Sequence, residues 1–279
     1  MPLPEPAALT PPAPAEWPGL VERWDGQGAA AQAPVAAGVV VICEHAANAT
    51  AAPWGDLGAP GIWEEHVAWD IGALGLARGL ARRLAPDCGG AVLVHAPLSR
   101  LIFDLNRAPD HANAMPALSE AREIPGNRDL SPAERLARTR AVCTPFHATL
   151  AAEIAGLVAL GRRPALVAVH SFTPVFHGVA RAVEFGVIHD DDKALTHAVI
   201  AAAGESGLVT RLNEPYSAAG DVTHTIRLHA VPLRLPNTML EIRNDLIATG
   251  PAQEAMAARL APVLARALDR AGGDACRVS

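Results

Sequence analysis

The chain has little that would tie it to nucleic acid, a membrane or a nucleotide cofactor. Of its 279 residues only 19% are charged, and the formal net charge is −6. A basic surface is what draws a protein to a phosphate backbone, so nucleic acid is not an expected partner. Lys193 is the single lysine in a basic set otherwise made of arginine. Aromatic residues make up 4%, and Tyr216 is the only tyrosine. Four cysteines, Cys43, Cys88, Cys143 and Cys276, are scattered without a CxxC pair. That spacing argues against a thiolate zinc site and predicts reduced, mostly buried thiols in a cytoplasmic protein. No basic segment followed by an apolar core opens the chain, and no run of about 18 apolar residues is free of charge or proline. Neither a signal peptide nor a membrane partner is therefore expected. No GxGxxG follows a strand, and there is no Walker loop or GxSxG elbow. Those absences weigh against nucleotide cofactors and serine hydrolysis.

Half of the residues are hydrophobic, enough to bury a sizeable core. Seven prolines within residues 1–20 deny both helix and ladder bonds there. Residues 1–34 are read as a Pro/Ala-rich arm and 35–279 as a single catalytic-type domain. Strands are predicted at 35–43, 91–96, 101–105, 165–170, 183–188, 208–212 and 238–243. Helices are predicted at 62–85, from 131 to about 160, at 194–203 and at 252–271, the second opened by Ser131-Pro132-Ala133-Glu134, an N-cap hydroxyl with Pro at N1 and Glu at N3. The run VVVIC at 39–43 does not alternate, as in a sheet covered on both faces. Alternating strands and helices predict an α/β layer sandwich, largely parallel. Residues 108–129 form a loop of a length more often functional than not.

Three apolar runs end in, or are interrupted by, groups that do chemistry. Residues 165–169 lead into His170, 39–43 lead into Glu44-His45, and Glu241 breaks the run at 238–243. Ligands of open α/β sheets bind outside the carboxyl ends of strands. Each histidine taken alone reads as a hydrogen-bonded structural residue. Two of them on converging strand ends read as ligands of a catalytic metal, which takes three protein ligands and keeps one position open. His66 and Asp70, four apart on a predicted helix, share a face and could supply the third. Asn48 lies three after His45, but a neutral amide is a poor ligand. Glu241 in a strand interior is either paired with Arg243 or kept as a base with a raised pKa. Arg100 and the Asn106-Arg107 pair suit an anionic substrate, since arginine binds carboxylates bidentately.

The segments EHAAN (44–48), HVAWDIGA (66–73), SRLIFDLNR (99–107), AVHSFTP (168–174), NEPYS (213–217) and LEIRNDL (240–246), in that order, resemble the N-formylglutamate amidohydrolase family. More distantly the layout is similar to zinc carboxypeptidases and aspartoacylase-type deacylases. The resemblance implies a three-layer, phosphorylase/hydrolase-like sandwich around a mixed, largely parallel sheet of about eight strands. It also implies Zn2+ or another divalent metal held by His45, His170 and an acidic ligand. The relatives' His-x-x-Glu pattern is broken by Asn48, so the second protein ligand is placed at Asp70 first, then His66, then Glu44. Glu241 would be the general base, with Arg243 or Arg100 facing the oxyanion. Arg100, Asn106 and Arg107 would hold substrate carboxylates, with Tyr216 as a lid contact. The implied substrate is a small anionic N-acyl amino acid, foremost N-formyl-L-glutamate, cleaved to formate and glutamate by a monomer or small homo-oligomer. Another N-acyl amino acid deacylase, a small carboxypeptidase and a non-catalytic binding protein of the same fold are the alternatives.

Overall fold

Strand β2 (Val39–Cys43) is buried at all five positions. It lies between β3 (Gly90–His95) and β6 (Ala165–Phe172), parallel to both. Both of its faces are covered, which is why the run is apolar without alternation. In the computed structural model, which describes residues 16–271, seven strands form the main sheet in the order β1-β3-β2-β6-β11-β9-β10. Here β1 is Leu20–Asp25, β9 Phe185–Ile188, β10 Thr210–Leu212 and β11 Asn237–Arg243. β6 and β11 are parallel, while β1 on β3 and β9 on β11 are antiparallel. Two short hairpins stand apart: β4 (Leu118–Ser119) with β5 (Arg122–Glu123), and β7 (Val175–Phe176) with β8 (Val179–Ala180). The first interrupts the predicted 108–129 loop.

The strand Leu20–Asp25 lies within the segment read as an arm. It pairs from Leu20 on His95 to Asp25 on Gly90 and forms one edge of the sheet. The proline-rich residues 1–15 lie outside the described residues. Helices α1 (Ala73–Leu84) and α4 (Ala194–Ala202) both pack on α6 (Gly250–Ala271). α2 (Pro132–Arg138) opens with the capping box, both Ser131 and Glu134 bonds being made. It runs through a π-helical segment, Thr139–Cys143, into α3 (Thr144–Ala159). The wide turn sits just ahead of Pro145, where an α-helical ladder would clash with the proline ring. By length and composition Pro132–Ala159 could cross a bilayer, but 44% of its most apolar window is buried. Phe146, His147, Leu150, Ile154 and Leu157 turn inward, as in a core-facing helix. The short α5 (His224–His229) completes the set.

Two predicted elements are corrected. Residues 62–72 are not helical; the helix begins at Ala73, after Gly72 at φ 82°. A Cβ on Gly72 would stand 2.1 Å from the Ile247 carbonyl oxygen, so glycine is required at this close turn. Residues 101–105 are not a strand. Leu101, Ile102, Phe103 and Leu105 are buried, but their backbone groups bond to side chains and turns. The Leu101 carbonyl accepts from Asn127, that of Ile102 from Arg138 and that of Leu105 from His147. These bonds replace a ladder and satisfy the backbone of a buried apolar loop. The cysteine expectation is also corrected. Cys88 is disulfide-bonded, whereas Cys43 and Cys143 are free and buried; Cys276 lies outside the described residues.

Candidate active site and metal centre

Strand order brings the chemistry to one edge. β2, β6 and β11 are parallel, so their carboxyl ends open on the same side. In the register of β6 and β11, Glu241 stands beside His170. His45 lies two residues past the end of β2, and its carbonyl accepts the Asp70 backbone N–H at 2.9 Å. That bond carries Asp70 over the strand ends. Asp70 Oδ2 lies 2.9 Å from His170 Nδ1 and 3.3 Å from His45 Nδ1, with the two imidazole nitrogens 3.2 Å apart. All three side chains are buried, and their donor atoms lie within 4.8 Å of one another.

The distal ring nitrogens face carboxylates. His45 Nε2 is 2.7 Å from Asp104 Oδ1, and His170 Nε2 is 3.2 Å from Glu44 Oε2, a charge contact without hydrogen-bond alignment. A carboxylate behind each imidazole directs the ring proton outward and leaves the inner nitrogen as the donor. Two such nitrogens and one carboxylate oxygen converge on one point, a donor set that fits a divalent cation.

The electrostatics follow from burial and pairing. Burial tends to raise Asp70, but His45 and His170 hold it well below the usual carboxylate range. Asp104 is likewise lowered against its burial, chiefly by Arg100 and then by His45. Glu44, fully buried, is brought down to about 2, mainly by His170. His170 is raised well above its ordinary value by Glu44 and Asp70 despite burial. Glu241 goes the other way. It is 5% exposed, its Oε2 has no partner, and burial lifts it from 4.5 to about 7, only partly countered by His170. A carboxyl that titrates near neutrality beside a donor set that fits a cation is suited to moving a proton.

A cavity of about 150 Å3 opens over this group, walled by the trio, Glu241, Arg100, Asn106, Arg107, Ser171, Tyr216 and Val222. Arg100 donates to Asp70 Oδ1 at 3.2 Å and to Asp104 Oδ2 at 2.7 Å, so its charge is largely committed to the protein. Arg107 reaches the Asn106 and Asp221 carbonyls through Nη1, while its buried Nε has no partner. The Asn106 amide is held between Val222 and Thr225. The Tyr216 hydroxyl accepts from Arg181 at 3.2 Å. Its loop approaches because β9 carries Gly186, where a Cβ would lie 2.0 Å from the Glu214 carbonyl oxygen.

Several candidates are not in the group. Arg243 turns to Asp245 at 2.8 Å and Glu184 at 3.6 Å, so it neither pairs with Glu241 nor lines the cavity. Arg243 is the last residue of β11, where the acid two residues on captures its side chain. With residues 62–72 outside any helix, His66 and Asp70 share no face, and His66 bonds Glu120 at 2.8 Å. Glu44 stands behind His170 and not among the inner donors, and Asn48 is half-buried in the loop beyond. Asp104 had no role in the sequence reading although it lies in the same DLNR run. Its contacts with His45 and Arg100 come from the burial of residues 101–106, which the misread strand concealed.

The family profile of N-formylglutamate amidohydrolases matches residues 37–248. The crystal structure of gene product Atu2144 from Agrobacterium tumefaciens is similar at 41% identity, covering 91% of this chain and 96% of that one, with a TM-score of 0.82. An N-formylglutamate amidohydrolase from Ralstonia eutropha JMP134 shares the fold at 16% identity and a TM-score of 0.64, over 91% and 98% of the two chains. The comparison with curated proteins returned no match. With the family profile spanning most of its length, the chain belongs to the N-formylglutamate amidohydrolase family.

Proposed function

We propose that this protein is a metal-dependent amidohydrolase that removes a formyl or other small acyl group from an amino acid, with N-formyl-L-glutamate as the reference substrate. The observation that carries the reading is the convergence of His45, Asp70 and His170 beside a buried carboxyl that titrates near neutrality. His45 Nδ1, Asp70 and His170 Nδ1 would hold Zn2+ or another divalent ion, with Asp104 and Glu44 orienting the two rings. An ion there acts as a Lewis acid and lowers the pKa of water.

Glu241 accepts the proton of the attacking water and returns it to the departing amine. Its position in register with His170 keeps it at the reacting centre. Arg107, half-buried and with an unpartnered Nε, binds the substrate carboxylate, and Asn106 adds an amide beside it. Arg100 keeps Asp104 ionised, bonds Asp70 and contributes positive potential where oxyanion charge develops. Tyr216 covers the cavity from the 213–217 loop. Supporting the substrate class is the family membership together with the cationic wall of the cavity. The test is metal content of the purified protein and release of formate from N-formyl-L-glutamate, run beside a small panel of N-acyl amino acids. Metal-loaded protein that hydrolyses none of them would refute the proposal.

A further inference from the structure

The cavity of the trio does not end at Arg100 and Tyr216. A second cavity, also about 150 Å3, shares Asp70, Arg100, Ser171 and Tyr216 with it. It continues between His66, Val67, Ser119, Glu120, Phe172 and Thr173. A formyl group is a single carbon, so a formylated amino acid leaves this space unused.

Its outer wall is the β4–β5 hairpin. The tip residue Glu120 sits at φ 52°, in the left-handed region where a two-residue hairpin turn ordinarily has glycine. Holding a side chain there costs energy, and such strain collects where the side chain is used. Glu120 reaches over the cavity, and its Oε1 meets His66 Nε2 at 2.8 Å. Beside it Arg122 clamps Glu65 through two 2.9 Å bonds, which fixes the hairpin against the 62–72 loop. Oε2 of Glu120 remains for a ligand, and Ser119 and Thr173 line the same cavity. The joined space therefore has opposite charges at its two ends. The inner cavity has Arg107, the outer one Glu120, and Asp70 of the trio lies where they meet.

We propose that the second cavity is an acyl subsite for an aminoacyl group, whose ammonium pairs with Glu120 while the carboxylate of the amine half pairs with Arg107. The protein then also cleaves a short dipeptide whose C-terminal residue is acidic. Water adds its oxygen to the acyl carbon, the carbon–nitrogen bond breaks, and the proton taken by Glu241 goes to the departing amine. The products are two free amino acids, and no oxidant or co-reactant is consumed. This inference rests on the amidase reading of the trio.

The experiment separates the two claims by measuring binding without turnover. Zinc-loaded Glu241→Gln protein is titrated calorimetrically with glycyl-L-glutamate and with N-propionyl-L-glutamate, in which a methyl group replaces the ammonium. Glycyl-L-glutamate is expected to bind about tenfold or more tightly, as for a charge-assisted contact. Adding Glu120→Gln should bring that ratio close to one. Competition with substrate in otherwise unaltered protein, with and without Glu120→Gln, gives the same ratio should the Glu241 variant not fold. Equal binding of the two ligands, no binding of glycyl-L-glutamate, or a ratio untouched by Glu120→Gln overturns the subsite. Binding in the expected pattern without hydrolysis of any ligand by metal-loaded protein that retains Glu241 overturns the amidase reading and leaves the subsite standing.

Discussion

Replacing Glu241 by glutamine tests its burial and its chemistry together. The carboxyl is 5% exposed, one oxygen has no partner, and its pKa rises from 4.5 to about 7 with burial as the leading cause. At about 1.4 kcal/mol per pH unit this rise corresponds to roughly 3 kcal/mol. The folded state thus keeps the proton to a higher pH than the unfolded chain does. Between 4.5 and 7 the native protein binds more protons, so stability falls as pH rises through that window. Glutamine has the same shape and no proton to lose. In chelator-treated protein, the variant should match the parent near pH 4 and exceed it by up to about 3 kcal/mol at pH 8. Urea unfolding at each pH measures the difference, and the other titrating carboxylates cancel in it. The metal-loaded variant should meanwhile lose about 100-fold to 10,000-fold in kcat, the usual contribution of a general base. A stability difference that does not change with pH would show that the carboxyl is not desolvated in the native state. Retained turnover would show that it is not the base.

Four further substitutions probe the surrounding groups. His170→Ala should abolish bound metal by elemental analysis, whereas Asn48→Ala, away from the inner donors, should leave the metal-to-protein ratio unchanged. Asp104→Asn removes the 2.7 Å carboxylate behind His45 and should weaken metal binding by about 10-fold to 100-fold in a chelator competition. Arg107→Ala should raise KM for N-formyl-L-glutamate by about 10-fold to 100-fold, the loss of a charge-assisted bond, with metal content intact. An unchanged KM would move the carboxylate site elsewhere.

Much of the frame can be read from local pattern. VVVIC and ALVAVH are apolar without alternation because their strands are covered on both faces, and Ser131 with Glu134 marks a helix start by its own hydrogen bonds. Such features depend on neighbours in the chain, so they survive without knowledge of the fold. The 101–105 run shows the limit. Its composition is that of a strand, yet Asn127, Arg138 and His147 satisfy its backbone from up to 42 residues away. Residues 62–72 carry helical spacing, but the approach of Ile247 to Gly72 imposes turns. Arg243 shares strand parity with Glu241, but parity says nothing about Asp245 and Glu184 waiting at the strand end.

The sequence by itself determined the family, the parallel strands and the histidines at their ends, because motif order and apolar periodicity are properties of the chain. Tertiary structure decided which acid joins those histidines, that Asp104 and Glu44 stand behind them, and that a second cavity adjoins the first. The reason is geometric. A strand carries its own residues to the sheet edge, but what meets them there depends on the paths of loops that begin and end elsewhere in the chain.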